Sequence, residues 1–293
     1  MEFTAVATGL CLLEAPRADD RGIWFSEIVQ GGIRCLRSDG HMDTSIVDRK
    51  PVGGIAFNDD GLLVCSGPDG LVWLDPVNGA TGGLLNEIDG EPIRGINDIY
   101  PDGRGGLLFG TVDHQAMLRG EDFYDRSALC HLDPSGRVTR ISEGHHFANG
   151  IGISPDGEQV YFNDSGVGTY VYRRLPGGNF AQVALLSDIL DCDGLAVDCE
   201  GSLWIAAMSS GELVRLYPSG KVDRRIPVPG GHVTSLCFGG PDLRDMYITT
   251  AAPDAGQALL KGDLPRDRTA ALYRARADVA GIPVPLTHFR LKR

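Results

Sequence analysis

A turn glycine recurs along this chain at a nearly constant interval. Five copies of the turn align, each is followed by an apolar run typical of a β-strand, and their glycines are Gly22, Gly61, Gly105, Gly157 and Gly201. The spacings are 39, 44, 52 and 44 residues, and a weaker sixth copy lies at residues 234–249. Self-similarity at a fixed period is typical of repeat architectures, in which each period forms one supersecondary unit. The chain is therefore expected to contain six such units.

Each period also contains a second turn between two further strand-like runs, as at residues 75–79, 133–136 and 217–220. Two hairpins per period make a four-stranded antiparallel sheet, and repetition of such sheets is typical of a β-propeller. The sequence thus predicts an all-β fold: a six-bladed β-propeller of four-stranded antiparallel blades, with residues 1–293 forming a single domain. A β-sandwich would also contain many short strands, but it would not keep one turn signature at a nearly fixed period.

The composition argues against several classes of partner. The 293 residues include 27 basic and 39 acidic side chains, which gives a formal net charge of −12. Such acidity disfavours nucleic acid and anionic membrane surfaces as partners. There is no recognisable signal peptide or transmembrane run, and seven scattered cysteines without a Cys-x-x-Cys pair indicate reduced thiols. We expect a cytoplasmic protein that acts on a small molecule, and the sequence leaves its oligomeric state open.

The position eight residues before each turn glycine marks the entrance of the first strand of a unit. With the matching position of the sixth copy, these entrance residues are Glu14, Gly53, Asn97, Asn149, Asp193 and Thr234. The first strand of every propeller blade lines the central channel, so the entrance residues should converge on one axis. Carboxylate and amide oxygens are the ligands that hard divalent cations prefer. The shared position therefore indicates a metal site.

Each entrance residue also has a plainer interpretation. Asn149 and Asp193 both precede a glycine, and taken singly either would be assigned to a turn. Glu14 is different because it lies in an apolar run, where an unpaired buried carboxylate is unfavourable. The recurrence of oxygen-bearing residues at one position of the repeat favours the metal site over independent turns.

The motifs around these positions resemble those of a known family. They are Leu13-Glu14-Ala15-Pro16, Asn97-Asp98 with Gly110-Thr111, Ala148-Asn149-Gly150 with Ser154-Pro155-Asp156-Gly157, Asp193-Gly194 with Leu203-Trp204-Ile205-Ala206, and Phe238-Gly239-Gly240. In this order, over nearly the whole chain, the pattern is similar to the regucalcin/gluconolactonase family of six-bladed propellers, which includes senescence marker protein and LRE-like proteins.

The resemblance implies one divalent metal ion on the propeller axis, held by Glu14, Asn149 and Asp193, with Asn97 beside it as a further ligand or as a contact to the substrate. An oxygen-rich site accepts Ca²⁺, Zn²⁺, Mg²⁺, Mn²⁺ or Fe²⁺. The family resemblance also implies hydrolysis of a lactone, either a sugar lactone or a related small cyclic ester. The metal would polarise the carbonyl and activate water, and Asp193 would act as the catalytic acid/base.

Two positions depart from the family pattern. Gly95 occupies the position where the family often has an arginine that binds sugar hydroxyls, and the nearest basic residue is Arg94. Gln115 occupies the position of an acidic residue that often follows the Gly-Thr pair. We expect Gly95 to leave space, and the substrate to carry fewer hydroxyl groups or to contact Arg94 or His114.

The long connection predicted between the third and fourth blades contains further candidates. His114, Gln115, His145 and His146 should lie near strand entrances, and residues 119–126, within the segment 112–130, are a candidate lid. Adjacent strand residues point in opposite directions, so at most one of the two neighbouring histidines should face the site. Asp98 and Asp164 fit either a turn or a site. The predicted substrate-binding residues are Asn97, Arg94, His114 and His146.

Two other functions fit the same residues. A metal with a carboxylate base also supports another hydrolase or a lyase, such as a phosphotriesterase-like enzyme, because a fold does not determine a reaction. A non-catalytic, calcium-binding propeller is the alternative from a different class. Oxygen ligands on the axis favour an enzyme, because a propeller that serves only as an interaction scaffold does not need them.

Overall fold

The computed structural model describes residues 1–291, which form a ring of six four-stranded antiparallel sheets. The prediction of an all-β, six-bladed β-propeller is confirmed. The chain begins with β1 (Phe3–Leu10), and blade one follows with β2 (Leu13–Ala18), β3 (Ile23–Glu27), β4 (Ile33–Leu36) and β5 (Met42–Ser45). Blade two contains β6 (Ile55–Phe57), β7 (Leu63–Cys65), β8 (Leu71–Leu74) and β9 (Thr81–Leu85).

A two-stranded ribbon precedes the third blade and contains β10 (Glu87–Ile88) and β11 (Glu91–Pro92). Blade three contains β12 (Ile96–Pro101), β13 (Leu107–Thr111), the helix α1 (His114–Leu118), β14 (Ser127–Leu132) and β15 (Val138–His145). Blade four contains β16 (Ala148–Ile153), β17 (Gln159–Asp164), β18 (Gly168–Arg174), a short 3₁₀-helix (Pro176–Gly178) and β19 (Phe180–Ser187).

The last two blades complete the ring. Blade five contains β20 (Cys192–Val197), β21 (Leu203–Ala207), β22 (Glu212–Leu216) and β23 (Val222–Pro227). Blade six contains β24 (Val233–Gly239), β25 (Asp245–Thr250), the helix α2 (Ala255–Lys261), β26 (Ala270–Arg276) and, as its outermost strand, β1. Pairing of β1 with β26 joins the two ends of the propeller in one sheet.

The first strand of each blade contacts the first strands of both neighbouring blades, so six strands surround the axis. Every residue of β16 and β24 is buried, whereas the outermost strands β19 and β23 are largely exposed or half-buried. Glycine allows the close approach of these strands: a Cβ atom added at Gly150 would lie 2.5 Å from the carbonyl oxygen of Asp193 in the next blade. The propeller therefore has a narrow, tightly packed centre.

Apolar layers between neighbouring blades form the core. Tryptophan, phenylalanine and aliphatic side chains fill these layers, which gives the interior its close packing. All seven cysteines are free thiols, and only Cys199 is exposed. Buried thiols of this kind behave as small apolar side chains.

The C-terminal segment closes one end of the channel. Residues 277–291 pass beneath the hairpin turns of several blades: the amide of Cys199 donates to the carbonyl oxygen of Ala280 over 2.9 Å, and the amide of His288 donates to that of Gly105 over 2.8 Å. The hydroxyl of Thr287 donates to Oδ1 of Asn58 over 2.8 Å. The opposite end, where the first strands begin, stays accessible.

The segment 112–126 lies inside blade three, between β13 and β14, and not between the third and fourth blades as expected. The direct pairing of β13 with β14, for example Phe109 with Cys130, shows this arrangement. Blades three and four are joined by only two residues, His146 and Phe147, between β15 and β16. The long spacing of 52 residues between Gly105 and Gly157 therefore reflects an insertion within one blade.

Both helices are short insertions of the same kind. Helix α1 has five residues and follows the second strand of blade three, and α2 has seven residues and follows the second strand of blade six. The two helices contact each other. Within residues 1–291 no helix is long and apolar enough to cross a membrane.

Candidate functional site

The entrance residues occupy equivalent places in the propeller. Glu14, Asn97, Asn149, Asp193 and Thr234 are each the second residue of the first strand of their blade. They therefore lie at the same end of the ring, opposite the end that the C-terminal segment closes. In blade two Gly53 precedes the strand, and a Cβ atom there would lie 2.5 Å from Oδ1 of Asn97.

A chain of hydrogen bonds orients two of these side chains. Nδ2 of Asn97 donates to Oδ1 of Asn149 over 2.6 Å and to the carbonyl oxygen of Ala148 over 2.9 Å. Nδ2 of Asn149 donates to Oγ of Ser165 over 2.7 Å, and that hydroxyl donates to the carbonyl oxygen of Cys192 over 2.5 Å. The amide plane of Asn149 is thus held from both sides.

Sequence reasoning assigned no role to Ser165, which directly follows β17. The antiparallel pairing of Ala148 with Asp164 places Ser165 opposite Phe147, beside the start of β16, and Asn149 reaches it diagonally where the strand pairing is irregular.

Three carboxyl groups lie close enough to affect one another. Burial, followed by the charges of Asp193 and Asp98, raises the pKa of Glu14 well above its usual range. Burial and the charges of Asp98 and Asp191 raise the pKa of Asp193 in the same way. Burial raises the pKa of Asp98 to about 7, and the guanidinium of Arg17 opposes this shift. The charged forms are disfavoured, and a cation among these groups would relieve the penalty.

Asp98 is the residue to which sequence reasoning gave too little weight. Its charge acts on both Glu14 and Asp193. The sequence signal was its place directly after Asn97 in β12. Asp164, which had the same two interpretations, instead binds within the blade: its carboxylate accepts from the amide of Phe147 over 2.8 Å and contacts Nδ1 of His145 at 2.9 Å.

Arg17 lies further along β2 than Glu14, towards the closed end. Its guanidinium donates to the carbonyl oxygens of Pro16 over 2.8 Å and Ile99 over 3.1 Å, and lies over the ring of Tyr100 at 5.5 Å. Its Nε atom is buried and has no hydrogen-bond partner among residues 1–291. The backbone carbonyls hold this cation in place, and its charge lowers the pKa of Glu14 only as a minor cause.

A cavity of about 570 Å³ opens beside the axis. Asn149 and Asp193 line it together with His146. Residues of the α1 insertion (Met117, Phe123, Tyr124) form one side, and residues of the α2 insertion (Ala252, Gln257, Leu259, Leu260) form another. The segment proposed as a lid therefore covers part of the mouth, and α2, which the sequence did not indicate, covers another part.

Among the predicted substrate-binding residues, His146 lines this cavity. Its ring is stacked on that of Tyr124, with 4.4 Å between centroids and 3° between planes, and Nδ1 contacts Asp125 at 3.0 Å. The neighbouring His145 is buried against Ser142 and Asp164. The two adjacent histidines thus differ in environment.

Arg94 and His114, the other two predicted substrate-binding residues of this region, do not line the cavity beside Asn149 and Asp193. Arg94 is exposed, contacts Asp113 at 3.3 Å and lines a separate cavity of about 320 Å³. His114 is buried, its Nδ1 has no hydrogen-bond partner in the described part of the chain, and burial lowers its pKa to about 4. A Cβ atom added at Gly95 would lie 2.6 Å from this Nδ1. The space expected beside Gly95 is therefore filled by the imidazole.

The donor set fits a divalent cation by its chemistry. Glu14 and Asp193 are buried carboxyl groups whose ionised forms need a compensating positive charge, and Asn149 adds a neutral oxygen. Within the part of the chain that the structure describes, no group of three or more His, Cys, Asp or Glu side chains is arranged to hold a metal. The predicted set differs from such groups because one of its three members is an amide.

Thr234, the entrance residue of blade six, has a structural role. Its hydroxyl donates to the carbonyl oxygen of Leu13 over 2.5 Å and also lies in hydrogen-bond contact with Oγ1 of Thr249 at 2.9 Å. The first of these bonds joins blade six to blade one. Oxygen-bearing side chains at the entrance position therefore divide into those that face the axis and one that closes the ring.

Comparison with known proteins relates this chain to lactonases. Residues 12–252 match the family described as SMP-30/Gluconolactonase/LRE-like region. A pentonolactonase from Haloferax volcanii is 28% identical over 97% of this chain and 97% of its own length. An L-arabinolactonase from Azospirillum brasilense is 28% identical over 79% of this chain and 77% of its own length.

A solved structure supports the fold. The calcium-binding protein regucalcin from Agrobacterium tumefaciens superposes with a TM-score of 0.80 at 23% identity, over 98% of each chain. Likeness at this identity concerns the fold alone, but the family match spans most of the chain. The prediction of a lactonase-type enzyme of this family is therefore confirmed: the chain belongs to the SMP-30/gluconolactonase/LRE-like family.

Proposed function

We propose that this protein is a metal-dependent lactonase whose site consists of Glu14, Asn149 and Asp193. The observation that carries the proposal is the position of Asn149 and Asp193 in a cavity at the open end of the channel, with Glu14 beside them. Relatives named for pentonolactone and L-arabinolactone hydrolysis support a lactone as the substrate.

The chain's own residues would perform three tasks. Glu14 and Asp193 would hold a divalent cation with their carboxylates, and Asn149 would contribute its amide oxygen. When bound, such an ion would polarise the lactone carbonyl and make water more acidic. Asp193 would accept the proton of the attacking water and return a proton to the leaving alkoxide. Asn97 and Ser165 would keep the amide of Asn149 oriented through the hydrogen bonds described above.

Turnover of a lactone panel distinguishes this function from its rivals. Proton release is measured for the protein with Ca²⁺, Zn²⁺, Mg²⁺, Mn²⁺ or Fe²⁺, and again after chelation. We expect hydrolysis of lactones that is lost with the chelator and restored by metal. Turnover of phosphotriesters without lactone turnover would favour the phosphotriesterase-like alternative, and metal binding without any turnover would favour a non-catalytic calcium-binding propeller.

Two substitutions separate the roles of base and ligand. Asp193→Asn keeps an oxygen ligand but removes the proton acceptor, so we expect kcat to fall by about 10²–10⁴-fold even at saturating metal. Asn149→Ala removes a ligand only, so raising the metal concentration should recover part of its activity. Both variants are compared at measured metal occupancy. An Asp193→Asn protein with full metal and nearly normal kcat would exclude Asp193 as the base.

A further inference from the structure

The cavity beside Asn149 and Asp193 has a polar floor and apolar walls, and the two helical insertions form most of these walls. We infer that its substrate is a lactone whose ring carries an apolar substituent, which packs between these walls. The inference rests on the proposed lactonase function and specifies its substrate class.

Aromatic side chains form the wall on the blade-three side. The ring centroids of Phe123 and Tyr124 are 4.3 Å apart, and that of Phe123 lies 5.9 Å from Phe147 in an edge-to-face arrangement. Tyr124 is in turn stacked on His146. The rings support one another, so this wall presents a preformed apolar surface to the cavity.

Aliphatic and thioether side chains form the opposite wall. Leu259 and Met208 pack against the buried cluster that contains Ala252, and all three line the cavity. Leu260, on the same helix, also lines it and is partly exposed. Methionine adapts its shape to different partners, so this wall suits substituents of more than one form.

Some polar side chains of the cavity already have hydrogen-bond partners. Asn149 binds Ser165, His146 binds Asp125, and the carboxylate of Asp191 accepts from the amide and hydroxyl of Ser210 over 2.7 Å each. None of the residues lining this cavity in the described chain is lysine or arginine.

Arg94, the basic residue nearest to Gly95, lines a separate cavity. A hydroxyl transferred from water to an apolar wall without a hydrogen bond is disfavoured. A polyhydroxylated ring would therefore lose hydration wherever its hydroxyls face the apolar walls.

Two exposed leucines lie next in sequence to residues that line the cavity. Leu118 at the end of α1 is 45% exposed, and Leu190, one residue before Asp191, is 60% exposed. Exposed large apolar residues that continue into a cavity are typical of a site that binds an apolar group. Leu118 directly follows Met117, and the carbonyl oxygen of Leu190 accepts from the amide of Gly166, so both lie next to residues that line the cavity.

The test compares lactones that share one ring. The substrates are γ-butyrolactone, its γ-pentyl and γ-phenyl derivatives, and arabinono-γ-lactone. Burial of apolar surface favours the complex by about fourfold per methylene, so kcat/KM should be at least about tenfold higher for the γ-pentyl derivative than for γ-butyrolactone. Preference for arabinono-γ-lactone would overturn the inference and leave the lactonase function intact. Hydrolysis of none of the four, with any of the five metals, would contradict the proposed function itself.

Wall variants locate the effect. Leu260→Gln and Met208→Gln should each reduce the ratio of kcat/KM between the γ-pentyl derivative and γ-butyrolactone by about threefold or more, since each replaces apolar contact by an amide. Leu264→Gln is the matched control, because Leu264 is 50% exposed, follows α2 and does not line this cavity. Unchanged ratios in both wall variants, with folding verified by thermal unfolding, would refute packing between these walls.

Discussion

His114 occupies the position beside Gly95 where the family pattern led us to expect a substrate-binding side chain or free space. Any side chain at residue 95 would collide with the imidazole, so the glycine and the histidine depend on each other. Within residues 1–291, Nδ1 of the buried ring has no hydrogen-bond partner. The neutral imidazole tolerates such a place far better than the imidazolium does.

The pKa of His114, lowered by burial to about 4, predicts a pH-dependent contribution to stability. In the unfolded chain the imidazole of His114 takes up a proton near its ordinary pKa, whereas in the folded chain it stays neutral until the pH is near 4. The contribution of His114 to the unfolding free energy is therefore full above the ordinary pKa and is lost as the pH falls towards 4. His114→Leu should remove it. Between pH 7 and pH 5 the wild type should lose about 2 kcal/mol of unfolding free energy relative to this variant.

Urea unfolding of both proteins at the two pH values, with chelator present, measures this difference. The variant is the necessary reference because the raised pKa of Asp98 acts in the opposite direction: its folded form binds a proton below about 7, which stabilises the fold as the pH falls. Parallel pH dependences of wild type and variant would contradict the assignment to His114.

Helix α1 contains both the buried His114 and a residue of the cavity wall. It begins after Asp113, whose carboxylate accepts from the amide of Ala116 over 2.9 Å. The first residue of the helix is His114, and Met117 contacts the cavity. The capping side chain of Asp113 therefore helps to orient both His114 and Met117.

Removal of the cap should affect stability and substrate binding together. Asp113→Ala is expected to lower the unfolding free energy by about 1 kcal/mol, because a helix amide loses its acceptor, and to raise KM more than it lowers kcat. Asp113→Asn is the matched control: it keeps a capping oxygen but loses the charge that pairs with Arg94. Thermal unfolding and steady-state kinetics measure both effects. Equal effects of the two substitutions would assign the role of Asp113 to its ion pair.

At the scale of the whole molecule, ring closure depends on the first strand of the chain. Strand β1 pairs with β26, and the aromatic rings of Phe3 and Tyr273 pack edge to face at 6.3 Å. Without β1, blade six would have three strands, and β26 would become an unprotected sheet edge, which favours association with other chains.

Deletion of residues 1–10 tests this dependence. We expect a loss of unfolding free energy on the order of 3–5 kcal/mol, counting about 1 kcal/mol for each ladder hydrogen bond, together with self-association. Deletion of residues 1–2, which precede β1, is the control. Unfolding curves and size-exclusion chromatography of the two truncated chains give the comparison. An unchanged midpoint and elution volume after the longer deletion would show that the ring closes without β1.

The repeat in the sequence determined the fold of this protein, because turn chemistry and strand alternation act over a few residues and are visible in each copy. The glycines of the five aligned turns, from Gly22 to Gly201, each precede the second strand of a blade. The position of Glu14, Asn149 and Asp193 at the start of channel strands follows from that repeat.

Other features depended on contacts between distant residues, which no local pattern encodes. The charge of Asp98 acts on Glu14 and Asp193 only because three blades meet at the axis. The α1 and α2 insertions meet over the cavity although more than a hundred residues separate them in the chain. The tertiary structure alone decided the apolar walls and the burial of His114, because packing between blades selects which side chains face each other.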